Sequence, residues 1–258
     1  MREWIYGRNP VYEVLRARRR QPFRLLVAQS AQVKGRLADV LRMCSERKLP
    51  VESVLRSRLD ALAASHQGLA LEVSGYPYSN LVDILERAEQ RAEPPFLLVL
   101  DALQDPQNLG TLLRTAELVG VHGVLLPLRQ TTTVTPAVVS ASSGASEHVL
   151  IAQANLAQVI EHLKSEGVWV YGLEDSSTAK EPGKLRLDGA LAVVVGNEAQ
   201  GMRPLVRRSC DALLKLPMRG QIDSYNAAVA GSIALFLVWQ ARDFSDAGRL
   251  TIDDNPES

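Results

Sequence analysis

Five consecutive apolar residues, Phe96-Leu97-Leu98-Val99-Leu100, follow Pro94-Pro95 and stop at Asp101. A strand with no polar alternation is covered on both faces, which is the situation in a parallel sheet. Similar short apolar runs recur at 123–126, 169–173, 191–195 and 212–216. Between several of them, apolar residues recur at helical spacing, over 109–119, 156–166 and 226–242. Alternating strands and helices of these lengths predict a layered α/β fold with a mostly parallel sheet.

The amino-terminal third predicts a smaller α/β unit of its own. Strands are expected at 24–28, 51–54 and 70–73, with helices over 31–47 and 55–64. Ser74-Gly75-Tyr76-Pro77-Tyr78-Ser79 has turn and linker composition, and a helix over 81–91 runs to the Pro94-Pro95 stop. The expected organisation is therefore a unit at 1–75, a linker with a helix at 76–94, a larger domain at 95–243 and a loose polar tail at 244–258.

Composition adds exclusions. With 46% apolar and 22% charged residues among 258, the chain is neither disordered nor fibrous. No apolar run reaches the roughly 18–20 residues of a membrane span, and the first residues lack a signal-peptide pattern. A cytoplasmic protein without a membrane partner is expected. Cys44 and Cys210 stand apart and outside any Cys/His cluster, so plain thiols are expected, with no metal. The net charge of zero hides a division. Residues 1–75 carry 14 Lys/Arg against 7 Asp/Glu, and the remainder 15 against 22. The basic part is a candidate for phosphate backbones, although a solvated charged face would look the same.

Ligands of open α/β sheets sit beyond the carboxyl ends of the strands, and three strands here run into polar, Gly-containing segments. The first is Asp101 to Gly110, leading into a helix with Arg114 and Glu117. Asn108 there reads either as a helix cap or as part of a phosphate site. The second is Gly196-Asn197-Glu198-Ala199-Gln200-Gly201-Met202, which is neither a Walker loop nor a dinucleotide fingerprint. The third, Leu216-Pro217-Met218 through Ser224-Tyr225-Asn226, ends at a long helix that Ser224 or Asn226 could cap. The small residues from Ala227 to Ser232 suit either close ligand approach or tight helix packing.

Taken together, in this order and spacing, the three segments resemble the SpoU (TrmH) family of RNA 2′-O-ribose methyltransferases within the SPOUT superfamily. The likeness covers about residues 95–243. Ser143-Gly144-Ala145-Ser146-Glu147-His148 resembles a further family segment. Tyr6-Gly7-Arg8-Asn9-Pro10-Val11 and His66-Gln67-Gly68 resemble the family's ribosomal-protein-like RNA-binding domain, an appendage similar to that of the large-subunit rRNA guanosine methyltransferases. In the third segment Tyr225, Ala227 and Ala228 depart from the family's Ser-Leu-Asn-Val-Ser pattern, while Ser224 and Asn226 keep it.

The resemblance implies a carboxyl-terminal trefoil knot that binds S-adenosylmethionine, an obligate homodimer, and RNA as substrate. It places cofactor binding at Gly196, Asn197, Gly201, Leu216, Met218 and Tyr225. Catalysis falls to Asn108, Arg114, Glu198, Ser224 and Asn226. Because a guanidinium stays protonated, the expected role of Arg114 is electrostatic rather than that of a base. Glu198 would orient Arg114 or take the proton. His148 and His66 are weaker base candidates. In the basic unit Arg8, Arg16, Arg18, Arg19, Arg20 and Arg24 are expected to meet RNA. A tRNA methyltransferase of the same family and a catalytically silent RNA-binding protein are the rival readings.

Overall fold

The computed structural model describes residues 2–243 except Glu198; Glu198 and the 244–258 tail lie outside the described residues. In chain order the elements are β1 (Arg2–Tyr6), α1 (Arg8–Ala17), β2 (Pro22–Ala28), α2 (Arg36–Glu46), β3 (Val51–Val54), α3 (Arg56–Asp60), β4 (Leu69–Ser74) and α4 (Leu81–Gln90). They continue as β5 (Phe96–Leu100), α5 (Pro106–Leu118), β6 (Gly123–Pro127), α6 (Pro136–Ala141), a 3₁₀ turn (Ala145–Glu147), β7 (Leu150–Ala154) and α7 (Leu156–Ser165). The last are β8 (Trp169–Leu173), β9 (Leu191–Val195), α8 (Pro204–Ser209), β10 (Ala212–Leu214) and α9 (Ala227–Ala241).

Two sheets result. The first has order β1-β4-β2-β3, antiparallel except for β2 with β3. The second has order β10-β8-β9-β5-β6-β7, and every pairing in it is parallel. All residues of β5, β6 and β9 are buried, as their unbroken apolar runs require. The α/β class and the parallel sheet agree with the sequence reading.

Some elements differ from expectation. Strand β1 is unmarked in sequence because only Ile5 of its five residues is fully buried. The helix expected from residue 31 starts at Arg36, after Gly35 takes φ +53°. The helix expected over 55–64 ends at Asp60, whose carboxylate meets the buried His66 at 2.9 Å.

The segment joining the two sheets is packed rather than free. Tyr76 donates to the Ser146 carbonyl (2.8 Å), Tyr78 accepts from the Val134 amide (3.0 Å), and Ser79 extends the edge at Ala152. One apolar core runs from Ile5, Val11 and Leu71 to Leu98, Leu126 and Val139.

Candidate active site

The loop after β9 is shaped by two glycines. A Cβ on Gly196 would overlap the backbone of Gly201 and Met202, and Gly201 takes φ +68°. Asn197 and Gly201 exchange backbone hydrogen bonds of 2.9 Å in each direction. The Asn197 carboxamide accepts from the Ala199 and Gln200 amides and donates to the Ala102 carbonyl, fastening this loop to the one after β5. The fully buried Asp101 adds a second tie, accepting from the Arg203 backbone and Nε at 2.7 Å each.

Beyond the ends of β8, β9 and β10 lies an open cleft of about 670 Å³, a volume that includes space open to solvent. Leu173, Val195, Leu214, Leu216, Met218 and Ala230 form apolar walls, with Glu174, Asp175, Lys215 and Ser224 adding polar groups. The six residues assigned to the cofactor in the sequence reading all line it: Gly196, Asn197, Gly201, Leu216, Met218 and Tyr225. Tyr225 is 41% exposed and donates to the Pro217 carbonyl at 3.3 Å. The contribution of β8 was missed. Its signal was the acidic pair Glu174-Asp175 directly after an apolar strand. Glu174 is gripped by the Arg207 guanidinium at 2.8 Å, which with this charge so close is held above the ordinary arginine pKa.

Helix α5 is capped by Asp105, which accepts from the Gln107 amide with Pro106 in the first turn. Asn108 is therefore not the cap but a buried residue within the first turn, and its Oδ1 accepts from Asn226 Nδ2 at 3.2 Å. Asn226 caps α9 as well, accepting from the Ala228 and Val229 amides. The small residues after it divide their work. Ala227 and Ala230 line the cleft, whereas a Cβ on Gly231 would overlap Leu112, and Ser232 meets Thr115 of α5 at 2.8 Å.

Arg114 is exposed on α5, donates to Ser143 Oγ at 3.4 Å and does not line the cleft. Ser224 lines the cleft and Asn226 adjoins it. Both weaker base candidates are occupied: His66 between Asp60 and the Gly68 amide, and His148 on Glu13 at 2.7 Å.

The arginines of the first unit correct the sequence reading in part. Arg16 and Arg18 are exposed and Arg8 half-buried. Arg20 is not at the surface. Its side chain is fully buried between Glu147 (3.0 Å) and Glu3 (2.8 Å). Burial opposes that charge, yet the two carboxylates outweigh it and raise the Arg20 pKa. Arg19 points the same way, donating to the carbonyls of Val149 and Pro77, and Arg24 is paired with Glu72 and Glu52. Charge counting cannot separate a cation facing solvent from one spent on an internal carboxylate.

The SpoU rRNA methylase family model matches residues 95–236, and a model described as RNA 2′-O ribose methyltransferase substrate binding matches residues 4–79. A Bacillus subtilis protein assigned by name to the TrmH family of tRNA/rRNA methyltransferases is 38% identical, covering 93% of this chain and 96% of that relative. The crystal structure of a SpoU methyltransferase from Streptomyces viridochromogenes with AdoMet superposes with a TM-score of 0.79 at 19% identity, covering 93% of this chain and 90% of that one. An AdoMet-bound rRNA methyltransferase from Sinorhizobium meliloti gives 0.74 at 23% identity, covering 93% and 87%.

Proposed function

The chain belongs to the SpoU family of RNA methylases, and from that premise we propose that it methylates a ribose 2′-hydroxyl of RNA, with a guanosine of large-subunit rRNA as target. The observation that carries the proposal is the convergence of six family-pattern residues from two separate loops on one cleft.

The cleft fits S-adenosylmethionine chemically. Apolar walls at Leu173, Leu214, Leu216 and Met218 suit an adenine ring, and Asp175, Lys215 and Asn197 offer partners for a charged amino-acid end. When bound, this cofactor supplies a methyl group on a sulfonium, a strong electrophile that needs no further activation.

The chain's own residues must then handle the hydroxyl. Arg114, always protonated, grips the phosphate beside the target ribose and stabilises the negative charge that develops on the 2′-oxygen. Asn108 and Asn226 hold α5 against the cleft, and Ser224 orients the ribose. Glu198, next to Asn197 in the sequence, orients Arg114 or receives the proton.

Arg114 lies off the cleft of its own chain, which supports a homodimer in which it reaches the partner's cofactor. The exposed Val229 and Phe236 of α9 and Leu118 of α5 supply apolar surface for that contact. The amino-terminal unit selects the RNA, through Arg8, Arg16 and Arg18. Incubation with methyl-labelled cofactor and, separately, large-subunit rRNA and tRNA tests the reading. Label in rRNA is expected. Label confined to tRNA would move the target, and label in neither would contradict the assignment.

A further inference from the structure

The residues from Ser142 to His148 form a tight turn between the two units. On one side it meets α5. A Cβ on Gly110 would overlap Ala141 and press on the Ser142 amide, and Ser143 Oγ accepts from Arg114. On the other side it meets α1 and the strand ends of the first sheet. Glu147 takes both nitrogens of the Arg20 fork at 3.0 Å, His148 holds Glu13 at 2.7 Å, and Gly144 lies directly under the Glu13 side chain. The turn is itself under constraint, because Ser143 and Gly144 take φ +54° and +88° in succession. A serine adopts that conformation only when its surroundings enforce it.

The Arg20–Glu147 pair has no exposed side-chain surface. Buried ion pairs are weak evidence for stability, and their better attested use is to fix one register among alternatives. Arg19 and the Tyr76 ring enclose the same junction. Arg19 donates to Tyr76 Oη at 3.1 Å, and the Arg20 guanidinium lies 5.0 Å from the ring centre.

We propose that Arg20 is a positioning residue of the methyl-transfer reaction: its fork on Glu147 seats the amino-terminal unit on the 142–148 turn and thereby holds Ser143 against Arg114. The RNA-selecting unit is then a structural part of the reaction centre, not a tethered handle. The inference rests on the reading of Arg114 as acting on the RNA ribose.

The test uses the full chain with Arg20→Lys, which keeps the charge but loses the fork, alongside Glu147→Gln and Ser143→Ala. Misplacing a reactive group costs turnover, so kcat should fall about tenfold in each, with the RNA KM and cofactor Kd changed less than about twofold. The Arg20→Lys/Ser143→Ala double variant should be no slower than the worse single, since both disturb one unit. A raised RNA KM at unchanged kcat would overturn the proposal, as would unchanged kinetics or losses that multiply in the double variant. Should Glu147→Gln fail to fold, Arg20→Lys carries the same comparison. If the unaltered protein methylates no RNA, the functional reading fails, and hydrogen exchange decides the lock alone. The Ser143–Glu147 amides should exchange about tenfold faster in Arg20→Lys while α7 is unchanged. Equal exchange in both proteins would overturn it.

Discussion

Asn226 donates through Nδ2 to Asn108 Oδ1 across 3.2 Å, joining the first turn of α5 to the start of α9 while its own Oδ1 caps α9. One side chain thus couples the helix that carries Arg114 to the loop that lines the cleft. Asn226→Ser keeps a capping acceptor but is too short to reach Asn108. Stability should fall by about 1 kcal/mol, the net worth of the hydrogen bond lost to the buried Asn108, measured by urea unfolding, while methyl transfer falls at least about tenfold. Full activity in Asn226→Ser would remove the coupling from the mechanism.

Arg114→Ala should lower transfer by about 10²-fold or more, the magnitude expected when an electrostatic stabiliser is removed. Cofactor affinity measured by titration calorimetry should be nearly unchanged. Arg114→Lys separates the two roles open to this position, since a lysine can lose its proton but lacks the fork. Substantial rescue with a rising, lysine-like pH profile would favour a base over a charge.

Gly196→Ala should abolish cofactor binding in a protein that remains folded. The added methyl would strike the Gly201 and Met202 backbone, which forms the loop lining the cleft. Calorimetry gives the affinity, and circular dichroism checks the fold. Ordinary affinity in this variant would show that the loop does not hold the cofactor.

His122 is fully buried, accepts from the Phe96 amide at Nδ1 and meets Glu93 at Nε2, each at 3.0 Å. Burial, with Arg91 and Arg242 nearby, pushes its pKa from 6.5 down to about 4. The folded value lies below the unfolded one, so the unfolded chain takes up the proton first. The stability this supplies is complete above pH 6.5 and is lost as pH falls from there towards 4. The shift corresponds to about 3 kcal/mol. Denaturant unfolding between pH 7 and 4.5 should show a steeper loss for the natural protein than for His122→Gln. Parallel curves would contradict the assignment.

Much of this was legible from residue order. The parallel sheet followed from strands such as Leu191–Val195 that offer no polar face, and the cleft from glycines and small residues placed just past strand ends. What escaped was pairing over long separations. Asn108 reads as a cap until Asp105 is seen in that place. Arg20 reads as one more surface cation until Glu147, far along the chain, is found against it. Strand β1 escaped for a related reason, since its polar residues are covered or paired by β4 and by side chains from elsewhere. A local pattern records the period of an element but not which distant group satisfies a charge.

The reaction is defined by the atom that receives the methyl group. Large-subunit rRNA treated with this protein and methyl-labelled S-adenosylmethionine can be digested to nucleosides and resolved by mass spectrometry. The label is expected on the ribose, as 2′-O-methylguanosine, and is expected to be absent with Arg114→Ala. Label on a base in place of the 2′-oxygen would contradict it.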